Sequence, residues 1–155
     1  MYSKYIGGQD PVRFLDETSV QIDRLVRSWP RQRDEQSYAP GKWTARQLLV
    51  HLSDIEMVFS IRLRFALTSD GYVVQPFEQD DWMRIAPPMP ALTALDAYLG
   101  MRRLNLQICR ALTADQRKRT LSHPEFGTID VEWLLAWCAG HERHHLPQLE
   151  AIGKG

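Results

Sequence analysis

Four stretches of this chain repeat their apolar residues at helical spacing, which commits most of its length to amphipathic helices. In the first, from about Val12 to Trp29, one side carries Leu15, Ile22, Leu25, Val26 and Trp29. The second opens at Thr44, followed three residues on by Gln47, a pattern in which each side chain caps the other's free backbone amide. It continues to about Leu67 with Leu48, His51, Ile55, Val58, Phe59, Arg62 and Ala66 facing inward. The third spans about Leu92 to Leu112, its stripe running Leu92, Leu95, Leu99, Arg102, Leu106 and Cys109. Thr113 with Gln116 repeats the capping pattern and predicts a short helical turn. The fourth runs from an N-cap at Asp130 to about Ile152, with Leu134, Trp137, Cys138, His141, His145, Gln148, Leu149 and Ile152 on one face. Pro147 lies inside it and withholds an N–H from the carbonyl of Arg143, so a kink is expected there.

No strand alternation, internal repeat or low-complexity tract interrupts this pattern. The expectation is one all-α domain over residues 1–155, a four-helix bundle with a long connection between its second and third helices. That connection, Thr68 to Pro90, carries Gly71, Pro76 and the run Ala-Pro-Pro-Met-Pro. Its aromatic and acidic stretch from Gln75 to Met83 is expected to pack over one end of the bundle.

Charge narrows the function classes. Lys+Arg and Asp+Glu number 19 each, so no basic excess exists to neutralise phosphates and nucleic-acid binding is not expected. Cys109 and Cys138 have neither disulfide-framework nor metal-site spacing, which suits a reducing compartment. No apolar run approaches the roughly 20 residues of a membrane span, and the first residues lack a signal-peptide core. A cytoplasmic protein acting on a small molecule is the expectation.

The chemistry concentrates in histidines. His51 stands alone on the second helix, while His141 and His145 are four apart and share a face of the fourth. Burying three imidazoles costs several kcal/mol unless each finds a partner. One shared divalent cation partners all three and leaves a coordination position open for water or substrate. The competing reading is three packed core histidines without metal. His144 lies about 60° from His141 on the side away from His145 and fits the stripe less well. His123, in a Ser-His-Pro passage, reads as solvent-exposed or loop-packing. Cys138, three before His141, offers either a soft fourth ligand or a small packing residue. Asp80 or Asp81 could reach the site from the long connection.

Residues 141–145 read His-Glu-Arg-His-His and formally match H-E-x-x-H, where the Glu is a general base. Glu142 turns about 100° from His141, however, and a protease needs a substrate-binding strand that the pattern does not supply. Arg62 and Arg102 sit on inward stripes, where an unpaired charge is costly. Each either binds an anionic substrate or pairs with Glu78, Asp80 or Asp81. For Arg102 both readings stay open, and for Arg62 the structural one is preferred. Trp82 is a candidate pocket-lining residue beside Arg102 and Asp80.

Taken in order, the segment from Trp43 to Glu56, the connection Pro76 to Trp82, the passage Ser122 to Thr128 and the stretch His141 to Glu150 resemble the DinB-like superfamily of metal-binding four-helix proteins. The resemblance covers the chain from the first helix to about Ile152. It implies a three-histidine zinc or nickel site at His51, His141 and His145, and a homodimer. Members of that superfamily include S-transferases that use the thiols bacillithiol or mycothiol, an isomerase that needs a related thiol, and many proteins grouped as metal-dependent hydrolases. Pro147, directly after the ligand pair, departs from the family pattern. The leading expectation is a metal-dependent enzyme, specifically a thiol S-transferase with a low-molecular-weight thiol as cosubstrate. A metal-dependent hydrolase and a non-enzymatic, stress-associated metal-binding bundle are the alternatives.

Overall fold

A computed structural model describes residues 2–154. Helix α1 spans Pro11–Arg27, α2 Ala45–Thr68, α3 Gln79–Ile85, α4 Ala91–Ala111, α5 Ala114–Arg117 and α6 Val131–Lys154, with a two-stranded hairpin, β1 Thr120–His123 and β2 Gly127–Asp130, before α6. Local chemistry sets the helix starts. Asp10 accepts from the Val12 amide at 3.1 Å, and Pro11, which has no N–H to satisfy, takes the first helical position. Both halves of the Thr44–Gln47 capping box form, as do those of Thr113–Gln116. Asp130 accepts from the Trp133 amide at 2.7 Å to open α6, which continues through Pro147.

The four long helices make the bundle. Helix α1 packs on α4 and α6, and so does α2, leaving α1 and α2 diagonal. The buried apolar residues separate into two clusters. One holds Leu15 of α1, Phe59 of α2, Leu106 of α4 and Leu134 of α6. The other holds Ile22 of α1, Leu48 of α2, Leu95 of α4 and Leu149 of α6. Helices α1 and α6 therefore run from the first cluster to the second, while α2 and α4 run the opposite way. That up-down-down-up order puts parallel helices side by side and demands a long return between α2 and α4.

A belt of buried polar residues separates the clusters: Thr18 and Ser19 of α1, His51 and Glu56 of α2, Arg102 and Asn105 of α4, and His141, Glu142 and His145 of α6. Each helix thus carries an apolar, polar, apolar sequence of layers. Polar groups at this depth persist only when bonded, so the belt is where chemistry is to be sought.

Two elements differ from the sequence expectation. The passage before α6 is a hairpin and not a strandless loop. Leu121 and His123 point inward while Thr120 and Ser122 face out, and Gly127, at φ 72°, closes the turn. The return segment joins this hairpin: the Val74 amide donates to Ser122 at 2.8 Å and the Ser122 amide to Tyr72 at 2.9 Å. Within that return, α3 forms where acidic Asp80 and Asp81 occupy the first turn and Arg84 the last, each favoured by the helix dipole. Phe77 packs on the first apolar cluster and Met83 on the second. The segment therefore crosses the bundle's flank, over the polar belt, instead of capping an end. Among the described residues no helix is long and apolar enough to cross a membrane.

Candidate metal centre

His51 enters the belt from the first part of α2, and His141 and His145 enter from α6 one turn apart. Their exposures are 1%, 3% and 7%. His141 is the hub: its Nε2 lies 3.2 Å from Nε2 of His51 and 3.2 Å from Nε2 of His145. One potential ligand atom from each of the three falls within 4.8 Å of the others. Trp43 packs against the His51 ring at 4.8 Å, and Trp137 stacks on His141 at 5.4 Å with 19° between planes. Two indoles thus shield the histidine group from solvent.

Burial keeps these imidazoles neutral. Desolvation, then the charge of His145, holds His51 down at about 3. His145 is held at about 4, mainly by desolvation, although its bond to Gln148 works the other way. His141 lies well below its ordinary value for the same reasons. Gln148 Oε1 sits 2.8 Å from Nδ1 of His145, which places the ring's proton on Nδ1 and leaves an Nε2 lone pair facing its neighbours. Three neutral nitrogen donors, two of their separations 3.2 Å and all within 4.8 Å, match a divalent ion. Metal–nitrogen bonds of about 2.0–2.1 Å at tetrahedral angles put donors about 3.3 Å apart. The donor set fits such an ion, and fits it as an open site, because among the described residues three ligand-type side chains converge.

The same shifts predict an acid response. Each histidine is harder to protonate folded than unfolded, so its stabilising contribution is complete above the unfolded value near 6.5 and is lost as pH falls toward the folded value. Metal-free protein should lose about 2 kcal/mol per depressed histidine between neutrality and about pH 5. Urea midpoints across that range test this. His51→Gln should flatten the slope, and an unchanged profile in that variant would refute the assignment.

The other sequence candidates separate. Cys138 does not join the histidines; its sulfur lies 3.9 Å from Nη2 of Arg102, and burial pushes its thiol well above the usual range. Arg102 is 1% exposed and is held from two sides by Glu56 and Glu142, not by Glu78, Asp80 or Asp81. Those interior carboxylates satisfy its charge within the belt, where the sequence left open pairing with an acid or with an anionic substrate. Nη1 reaches Glu142 at 3.0 Å and the Leu15 carbonyl at 2.9 Å, Tyr98 donates to Glu142 at 2.8 Å, and Asn105 donates to Glu56 at 2.7 Å. Glu142 is thereby committed to the core and is not the general base that the H-E-x-x-H pattern would require. Asp81 pairs with Arg84, and Trp82 lies against Phe77 with ring centroids 4.8 Å apart. His144 meets Tyr5 at 3.2 Å and lies edge-on to His145 with ring centroids 5.1 Å apart, but is not one of the converging donors. His123 is 8% exposed, so it is packed and not solvent-facing.

Two cavities approach the centre. One of about 330 Å³ reaches His141 and is walled by Arg62, Phe77, His123, Phe126 and Trp137. The other, about 430 Å³, reaches His145 and includes Lys42, Trp43, Asp80 and Gln148. Gln79, at the start of α3, lines both. Of the sequence candidates for a substrate pocket, Asp80 lines the cavity at His145, Trp82 backs Phe77 in the wall of the cavity at His141, and Arg102 is held by Glu56 and Glu142.

Comparison with known proteins gives a consistent picture. The family model described as DinB superfamily matches residues 15–149. A protein of Oceanobacillus iheyensis named "Putative metal-dependent hydrolase" is 27% identical over 94% of this chain and 81% of its own length. A protein of the same name from Halalkalibacterium halodurans is 28% identical over 88% and 76%. Among solved structures, YfiT from Bacillus subtilis, described as "a probable metal-dependent hydrolase with an unusual four-helix bundle topology", superposes with a TM-score of 0.84 at 23% identity over 93% of this chain and 84% of that one. The mycothiol-dependent maleylpyruvate isomerase superposes at 0.73 with 14% identity, and this chain spans 59% of its length.

Proposed function

This chain belongs to the DinB superfamily, and from that membership we propose that it is a metal-dependent thiol S-transferase whose ion is held by His51, His141 and His145. The convergence of three neutral imidazole nitrogens, His51 and His145 each 3.2 Å from His141, is the observation that carries the reading. Zinc and nickel are the ions favoured, since both accept an all-imidazole set. Such an ion supplies Lewis acidity, lowering the pKa of a thiol or water presented to it. The chain's own part is to fix the donors. Gln148 sets the His145 tautomer, and Trp43 and Trp137 keep bulk water from the rings.

Transfer is favoured over hydrolysis on two counts. The interior carboxylates Glu56 and Glu142 are tied to Arg102, so neither is placed to take a proton from water. Two separate cavities meet the centre, at His141 and at His145, which suits a reaction of two molecules. The need for mycothiol in the superposing isomerase's name is in keeping with a thiol cosubstrate. Hydrolysis is the second reading, favoured by the names of the relatives. A cytoplasmic homodimer acting on a small molecule completes the proposal.

The test is coupling of a low-molecular-weight thiol to a chlorinated or epoxide electrophile, with and without added metal. Metal-dependent loss of both reactants is expected. Ester or amide cleavage without any thiol would favour the hydrolase instead, and no turnover across several thiols and electrophiles would overturn the transferase.

A further inference from the structure

Arg62 is a buried cation without an acidic partner among the described residues. It is 6% exposed, yet it takes part in none of the ion pairs that the other interior arginine, Arg102, exemplifies. One N–H reaches the Gln75 carbonyl at a long 3.3 Å, and Nε has no hydrogen-bond partner. An uncompensated guanidinium at this depth is costly, and burial draws its pKa down. The structural pairing expected with Glu78, Asp80 or Asp81 does not form. Glu78 and Glu125 line the same cavity but are exposed, and Asp81 is taken by Arg84.

The cavity that Arg62 lines is built around it. His123 faces it from β1, held neutral by burial and by the charge of Arg62. The Glu125 amide donates to Nδ1 of His123 at 3.2 Å, so the neutral ring keeps its proton on Nε2 and is a donor there. The remaining walls include the rings of Phe77, Phe126 and Trp137 together with His141. A volume of about 330 Å³ accommodates one ring with a short substituent.

We propose that this cavity binds a planar aromatic carboxylic acid, its carboxylate on Arg62 and Nε2–H of His123 and its ring among Phe77, Phe126 and Trp137. A guanidinium pairs with a planar carboxylate through two parallel N–H bonds, and the aromatic walls take the apolar body. A phosphate dianion suits the cavity less, because Glu78 and Glu125 stand at its rim. The proposal rests on the enzyme reading only in making such an acid the electrophile, in which case it must also carry a chlorine that leaves as chloride or an epoxide that opens as the C–S bond forms. Binding itself needs no metal.

The experiment is titration calorimetry of benzoate, benzamide and inorganic phosphate against the metal-stripped full-length protein, with Arg62→Gln and Arg62→Lys alongside. Benzoate should bind, benzamide and phosphate roughly tenfold or more weaker, and Arg62→Gln should lose at least about tenfold for benzoate with Arg62→Lys between. Because Arg62 has no ion pair to lose, Arg62→Gln should keep or raise the thermal midpoint. Equal binding of benzoate by wild type and Arg62→Gln, or of benzamide and benzoate by wild type, would overturn the pocket. A lowered thermal midpoint in Arg62→Gln would overturn it too, by marking the arginine as structural. Benzoate binding that survives chelation while thiol transfer fails would leave this site standing and sink only the transferase.

Discussion

His141→Ala should purify with almost no metal, where the parent protein, prepared without an affinity tag, carries about one divalent ion per chain. The reason is position. Nε2 of His141 lies 3.2 Å from both other ligand nitrogens, so its loss leaves His51 and His145 without the donor that joins them. Removing one of three ligands from a site worth on the order of 10 kcal/mol should weaken binding by at least about a hundredfold. His144→Ala is the control: that ring bonds Tyr5 and packs edge-on against His145 but offers no nitrogen to the converging set, so its removal should leave the metal content unchanged. Circular dichroism must show both variants folded. Helix α6 supplies the needed robustness, because Leu134, Leu135 and Leu149 anchor it in both apolar clusters independently of the imidazole. Equal metal content in His141→Ala and the parent would end the case for a three-histidine site.

The parts of this molecule that a reader of the sequence could see were those with long-range periodicity. Four helices emerge from apolar spacing alone, and the capping signatures at Thr44, Thr113 and Asp130 fix three helix starts because each is a local bond between neighbours. The histidine group was visible for the same reason: His51 and the pair His141 and His145 lie on stripes whose inward sense is set by the flanking leucines. The hairpin was hidden because a four-residue strand offers only two inward positions, Leu121 and His123, too few to establish a period of two. Helix α3 was hidden because it is short and has no buried residue.

Glu56 and Glu142 were hidden by a rule that usually works, that acids face water. Both stand in apolar ridges, Glu56 among Leu52, Phe59 and Leu63 and Glu142 among Cys138, Leu146 and Leu149. An inward arginine such as Arg102 on the facing helix requires inward acids to pair with it. Arg62 shows the converse: the same inward placement, with no such acid on any ridge beside it.

Arg102→Met should be the most destabilising single change in the polar belt, by about 3–5 kcal/mol at neutral pH. The guanidinium bridges Glu56 of α2 and Glu142 of α6 and bonds the Leu15 carbonyl of α1 from its own place on α4, so one side chain ties all four long helices at the level of the histidines. Its removal leaves two carboxyls with no cation between them, together with the Tyr98 hydroxyl and the Asn105 amide that bond to them. Already in the parent, burial and the neighbouring Glu56 push the Glu142 carboxyl up against the pull of Arg102. Without that pull the Glu142 carboxyl must rise further. A carboxyl whose folded pKa is raised stabilises the fold at pH below its unfolded value near 4.3, and loses that contribution as pH climbs through the folded value. The deficit of Arg102→Met relative to the parent should therefore be largest near neutrality and shrink toward about pH 5, measured as the difference in urea midpoint at each pH. Adding Glu56→Gln and Glu142→Gln removes both orphaned charges and should recover most of the loss, since an internal ion network is often replaceable as a whole though not in part. A single variant less than about 1 kcal/mol below the parent, or a triple variant no better than the single, would mean that the belt is not held by this charge network.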